Sequence, residues 1–221
     1  VKSIAKLLYT RNAGFTRKEI AQKLGLLDGG GLSRNLKALI VSDFVVKYVP
    51  FGLSKRESHY KLTDPFCLFS LHFMGGAVRA NTRFWQQNAT SQAVATWRGY
   101  AFENVCFNHV EQIKASLGVA AVVSESSAWS KRADDEDGLQ IDLLINRNDN
   151  VINMCEIKYY GDDFAVSKDY YRVLLHRQEM LSREISPKVT IHNTLITTFG
   201  LVQNKYSSVF SNVVTLDDLF A

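Results

Sequence analysis

The stretch from residue 139 to residue 158 most limits what this chain can fold into. Leu139 to Ile145 and Val151 to Lys158 are two strongly apolar runs separated by a polar turn, Asn146 to Asn150. Apolar runs of this length bounded by turn residues read as the paired strands of a β-hairpin. Alternation puts Ile141, Leu143 and Ile145 on one face of the first strand, and Asp142 with Leu144 on the other. In the second strand Ile152, Met154, Glu156 and Lys158 share a face, opposite Val151, Cys155 and Ile157. Two largely apolar faces mark a strand covered on both sides. Ionised side chains are almost never buried without a partner or a metal. Asp142, Glu156 and Lys158 therefore need a physical reason to be there.

The elements around the hairpin point to a mixed sheet. Phe102, Val105, Cys106, His109, Val110, Ile113 and Leu117 recur at helical spacing, and Gly118 closes that helix. Val119 to Ser124 reads as a short strand. Asp134 to Asp137 is a four-carboxylate loop, of a kind that usually just meets solvent. Ala165 to about Arg183 reads as a long helix with Tyr170, Val173, Leu174 and Leu181 inward. Val189–Thr197 and Asn212–Leu216 are the last strands. Helix, three strands, helix, strand is an α/β order. The expected division is 1–65, a helical connector 66–96, and 97–221, with Trp85 and Trp97 as the packing anchors of the mixed stretch 75–98.

The first 65 residues carry 12 Lys and Arg against 5 Asp and Glu, a balance of +7, whereas the remainder carries 14 against 17. Such an asymmetry suits a module that faces nucleic acid, although a basic surface alone does not require it. Lys2–Tyr9 is expected to be a helix with Ile4, Leu7 and Leu8 as its stripe. Thr16 and Glu19 form a capping box for a second helix that ends at Gly25. Gly29–Gly31 reads as a flexible turn, and a third helix starts near Leu32 or Ser33, with Leu36, Leu39 and Ile40 inward. The strands Phe44–Val49 and His59–Leu62 follow, joined by the polar tip Gly52–Ser58. Three helices and a hairpin is the order of a winged helix-turn-helix. Ser33, Arg34 and Lys37 on the third helix, and Lys55 and Arg56 at the wing tip, are the residues expected to meet DNA. A protein-docking use of the same module remains open.

No run of about 18 apolar residues suggests a membrane span, and the start has no signal peptide. The three cysteines, Cys67, Cys106 and Cys155, are odd in number and far apart, which suits free thiols in a reducing, cytoplasmic setting. Val1 rather than Met at the start leads us to expect a piece excised from a longer protein.

Two carboxylates brought close together repel, and would hold a proton unless a cation joins them. Mg²⁺ (or Mn²⁺) takes such oxygen ligands and keeps waters for a substrate phosphate. Lys158 would then offset charge building on the phosphorane or position the attacking water. The plainer alternatives are a buried carboxylate–lysine salt bridge, or a strand end that is simply exposed. The grouping favours the metal: Glu156-Ile-Lys158 is the only acid-x-lysine in the chain, one hairpin after an acid on the preceding strand.

These residues resemble the PD-(D/E)xK nuclease superfamily, with its restriction-endonuclease-like fold. There an acid on one strand precedes acid-x-Lys on the next, and an upstream helix supplies another acid. The resemblance implies Glu103 as that upstream acid and Gln178, on the long helix after Lys158, as a polar residue near the site. Ordinary surface roles are the alternatives for both. Ile141 stands where the motif has proline. The order of Tyr60 to Phe66, Trp97 to Glu103 and the hairpin also looks like the C-terminal region of archaeal-type AAA+ ATPases. That likeness implies an ATPase domain upstream, since this chain has no phosphate-binding loop motif; Gly29–Gly31 lacks the lysine. The expected activity is Mg²⁺-dependent endonucleolytic cleavage of DNA, with a non-catalytic docking arm of the ATPase as the rival. Oligomeric state and the DNA structure recognised are not legible.

Overall fold

A computed structural model of the chain describes residues 1–75, 83–131 and 139–221. The acidic loop Asp134–Asp137 lies outside the described residues. The chain is mixed α/β with two sheets, and divides into two compact units, Val1–Asn108 and His109–Ala221.

The first unit begins with α1 (Lys2–Tyr9), β1 (Phe15–Thr16) and α2 (Arg17–Leu24). Gly14, between α1 and β1, has φ +71°, and an added Cβ would lie 2.1 Å from the Tyr60 carbonyl oxygen. Both the angle and the close approach demand glycine there. Thr16 caps α2 and closes the expected capping box with Glu19, and Gly25 ends the helix in the left-handed conformation. α3 spans Gly30–Val41, so the glycine run is not only a turn: Gly30 and Gly31 are its first residues. Arg17 holds this weak start by donating to Gly29 O at 3.0 Å and to Ser33 Oγ at 2.8 Å. β2 (Val45–Tyr48) and β3 (His59–Leu62) pair antiparallel, and β1 adds to β3, a two-residue strand too short to show a period in the sequence. Ile4, Leu8, Ile20, Leu36, Leu39, Val45 and Leu62 are buried together as the core of this half. α4 (Pro65–Phe73), α5 (Phe84–Asn88) and α6 (Gln92–Asn108) complete the unit. Asp64 caps α4 and Pro65 fills its first position.

Burial alone would push the Glu19 carboxyl up, but the Arg11 guanidinium and the Thr16 amide and hydroxyl bring it down to about 2. A lowered carboxyl lends stability that is complete above its ordinary value near 4.5 and lost as pH falls toward 2. Glu19→Gln should therefore cost about 1 kcal/mol at neutral pH and nothing near pH 2. Acid titration of both proteins by circular dichroism checks this. A gap that stays constant with pH would show that the charge of Glu19 is not what matters.

The second unit is a five-stranded sheet in the order β4-β5-β6-β7-β8, with β4 (Ser124–Lys131), β5 (Leu139–Arg147), β6 (Val151–Lys158), β7 (Thr190–Thr197) and β8 (Asn212–Thr215). β4, β5 and β6 run antiparallel in succession, and β7 and β8 lie parallel to β6. The return to parallel pairing requires a crossover, supplied by α8 (Lys168–Ser182), which Ser167 caps. α8 starts three residues later than the apolar pattern suggests, and Val173 is exposed rather than inward. The expected strand at Val119–Ser124 is a turn, in which Val119 N donates to Lys114 O and Val122 N to Val119 O. The strand itself begins at Ser124. The single helix expected up to Leu117 is broken at His109, whose backbone leaves helical geometry before α7 (Val110–Ser116) starts. Among the described residues no helix is long and apolar enough to cross a membrane.

Candidate functional site

The hairpin register decides what the charged residues of β5 and β6 can do. The β5–β6 ladder runs from Asn146–Ile152 to Leu143–Cys155; carried one step beyond that last pair, the same register would set Asp142 opposite Glu156. Directly opposed residues of an antiparallel pair project from the same face, with Cβ atoms about 5 Å apart. Lys158 follows on that face two residues along β6. α8 packs over it: Leu174 of α8 is buried against Leu195, the β7 partner of Glu156.

Glu156 is only 5% exposed. Its Oε2 accepts from Arg177 Nη1 at 2.5 Å. Its Oε1 meets Lys158 Nζ at 2.9 Å and accepts from the Tyr170 hydroxyl. The Lys158 ammonium also lies 4.9 Å from the centre of the Tyr170 ring. Burial works against the Lys158 charge, but the Glu156 carboxylate outweighs it and holds the ammonium well above its ordinary range. Arg177 is raised in the same way: burial opposes, Glu156 prevails, and Asp142 adds to the pull. Tyr170 is pushed up to about 12 by burial and by the neighbouring carboxylate, so it remains a donor. Asp142 is half-buried, and its Oδ1 accepts from Gln140 Nε2 at 2.9 Å. Two carboxylates and two cations thus share one neighbourhood with no net charge.

Arg177 and Tyr170 are the site residues that sequence reasoning missed, Tyr170 having been read as ordinary core. A signal was present. Tyr170, Leu174, Arg177 and Leu181 fall at helical spacing on one face of α8, and a guanidinium inside an apolar stripe needs a carboxylate partner. Gln178 is half-buried and engaged elsewhere, its Oε1 accepting from Asn193 Nδ2 of β7 at 2.8 Å. Glu103 lies on α6 in the first unit, where Asn12 Nδ2 donates to its Oε2 at 3.1 Å.

The basic residues of the first unit are placed as their spacing suggests. Arg34 and Lys37 are exposed, three residues apart on α3, and Lys55 and Arg56 are exposed on a one-turn helix between β2 and β3. Ser33 is exposed, but its hydroxyl already accepts from Arg17.

Among the described residues no three His, Cys, Asp or Glu side chains converge as a metal cluster. The residues do offer two hard oxygen donors of the kind Mg²⁺ takes: Glu156, which binds Arg177, and Asp142, whose charge also acts on Arg177. Beside them Thr197, the β7 partner of Lys158, buries a hydroxyl oxygen with no hydrogen-bond partner. An orphaned buried oxygen marks a place that water commonly fills. By donor chemistry the pair fits a divalent ion, on condition that Arg177 withdraws from Glu156. Comparison with protein-family models, with curated proteins and with solved structures returned no match.

Proposed function

We propose that the second unit is a restriction-endonuclease-like domain that hydrolyses phosphodiester bonds in DNA with Mg²⁺ (or Mn²⁺), and that the first unit is a winged helix-turn-helix that docks it on the duplex. The observation that carries this reading is the β5–β6 register, which ends at Leu143–Cys155 and, continued by one step, would set Asp142 opposite Glu156, with Lys158 two residues on. Asp142 and Glu156 would hold the ion; when bound, it would polarise a phosphoryl oxygen and lower the pKa of a water. Lys158 keeps its proton at any physiological pH and would stabilise the charge that develops on the phosphoryl oxygens. Tyr170, donating to Oε1, fixes the orientation of the Glu156 carboxylate. Arg34, Lys37, Lys55 and Arg56 would neutralise backbone phosphates, so the affinity should fall with salt.

Plasmid nicking in Mg²⁺ or Mn²⁺, with wild type beside Asp142→Asn and Lys158→Met, tests this. Nicking should disappear in both variants while the fold, read by circular dichroism, is unchanged. Nicking that persists in both would end the hydrolase reading.

A second reading is favoured by one feature, the full engagement of Glu156 by Arg177, Lys158 and Tyr170. In that reading the cluster is a structural ion network. The chain would then be a non-catalytic DNA- or protein-docking arm of an AAA+ ATPase encoded upstream.

A further inference from the structure

The first unit holds a cleft of about 400 Å³ bounded by α1, β3, α4 and α6. That volume falls in the range of small-molecule sites, about 300–1,000 Å³. Leu8 of α1 and Leu62 of β3 line it and are buried in the core, and Leu68 of α4 packs against that core. The rings of Tyr9, His72, Trp97 and Tyr100 also line it. Among the described residues no Asp, Glu, Lys or Arg does so.

Several of its polar side chains are already engaged. The Tyr9 hydroxyl and His72 Nδ1 share a hydrogen bond at 2.8 Å. Thr10 Oγ1 donates to Leu7 O at 2.7 Å, and Asn12 Nδ2 donates to Glu103 Oε2 at 3.1 Å. Asn104, which lines the cleft from α6, differs from these. It is only 2% exposed, and its Nδ2 donates to Tyr100 O at 2.9 Å within the same helix. Because a carbonyl can only accept, that bond fixes which end of the amide is which. The other end, Oδ1, is buried and has no hydrogen-bond partner among the described residues. A buried acceptor left unpaired is costly, and native proteins rarely keep one without a water or a ligand to serve it.

Each feature of the lining selects one property of an occupant. A wall without ionised groups gives a charged molecule nothing to replace its hydration. Leucines and rings together favour a flat apolar body. An unserved acceptor calls for a donor. We propose that this cleft binds an uncharged aromatic molecule carrying an N–H or O–H group, which donates to Asn104 Oδ1. The site belongs to the first unit alone and stands whether or not the second unit cleaves DNA.

Indole is a probe with these properties, and 1-methylindole, which lacks the N–H, is its control. Both are titrated into the full chain by isothermal titration calorimetry. Indole should bind with a Kd below about 1 mM, within reach of a fragment of its size in a formed pocket, and 1-methylindole about 10-fold more weakly. Asn104→Leu should erase that difference, because no acceptor is left to tell the two apart. Ala101→Trp, one turn before Asn104 and also in the lining, should fill the cleft and abolish binding of both. Circular dichroism checks the fold of each variant, and the comparison of the two probes on wild type needs neither variant. Three results would each overturn the site: no binding of indole at its solubility limit, equal affinity of wild type for the two probes, or indole binding that persists in a folded Ala101→Trp protein. The first would mean that water alone serves Oδ1.

Discussion

Replacing Glu156 with alanine is expected to destabilise the chain by about 3 kcal/mol or somewhat more, because it strands two cations and a hydroxyl that all point at one carboxylate. The Arg177 and Lys158 side chains are 22% and 33% exposed, so neither can recover full hydration in place. Partial solvent access to Lys158 holds the figure to the lower part of the range for broken buried pairs. A double variant, Glu156→Leu with Arg177→Met, should recover most of the loss, since apolar groups of similar size remove the desolvation penalty as well as the attraction. The pH dependence follows from the raised Lys158. A cation whose folded-state value is raised lends stability that is complete below its ordinary value near 10.5 and fades as pH rises above it. The contribution should therefore be intact at neutral pH and decline only in alkali. Urea denaturation of wild type, the single variant and the double variant measures these differences. A single variant within about 0.5 kcal/mol of wild type, the range of an ordinary surface change, would mean that water already satisfies the cluster.

The legible parts of this structure share one property: a local pattern strong enough to decide the matter alone. The capping box at Thr16 and Glu19 is read from two residues three apart, and it forms as expected. The runs at 139–145 and 151–158 could be little other than paired strands, and they pair from Leu143–Cys155 to Asn146–Ile152, one step short of Asp142 and Glu156. β4 was misplaced because it is an edge strand. It pairs on one side only, so Ser124, Ser126 and Ser127 are tolerated where a central strand would need apolar residues. The apolar Val119–Val122 instead closes the end of α7 as a turn. The break at His109 left no mark, since the apolar spacing runs through it. Arg177 was overlooked because its partner lies 21 residues away in sequence, and helical periodicity describes which face is buried without saying what waits on the other side. The start of α3 was hidden for a related reason: three glycines signal a turn, and the Arg17 contact that supports the helix start at Gly29 O comes from another helix.

Arg177→Met is expected to tighten Mn²⁺ binding by about 100-fold, read by electron paramagnetic resonance of the free ion, whereas Arg177→Lys should change it little. Arg177 Nη1 lies 2.5 Å from Glu156 Oε2 and also responds to the Asp142 charge, so its cation would compete with a divalent ion for Glu156. A unit charge about 4 Å from an ion costs about 4 kcal/mol per unit of ionic charge at the effective dielectric of a partly open site. The salt bridge that must break adds to that cost, and structural relaxation in the wild-type protein reduces it. Methionine keeps an unbranched apolar stem in place of arginine's, and Lys158 remains to hold Glu156, so the fold should survive the change. The lysine variant separates charge from shape, because it restores the competing cation without the guanidinium's geometry. If Mn²⁺ binds Arg177→Met no better than wild type, and both are indifferent to Asp142→Asn, then Glu156 is a structural anion and the docking-arm reading stands. If binding tightens in Arg177→Met and collapses again when Asp142→Asn is added, the acid pair is a metal site held closed by an internal cation, and nicking should rise in the same variant at limiting Mn²⁺.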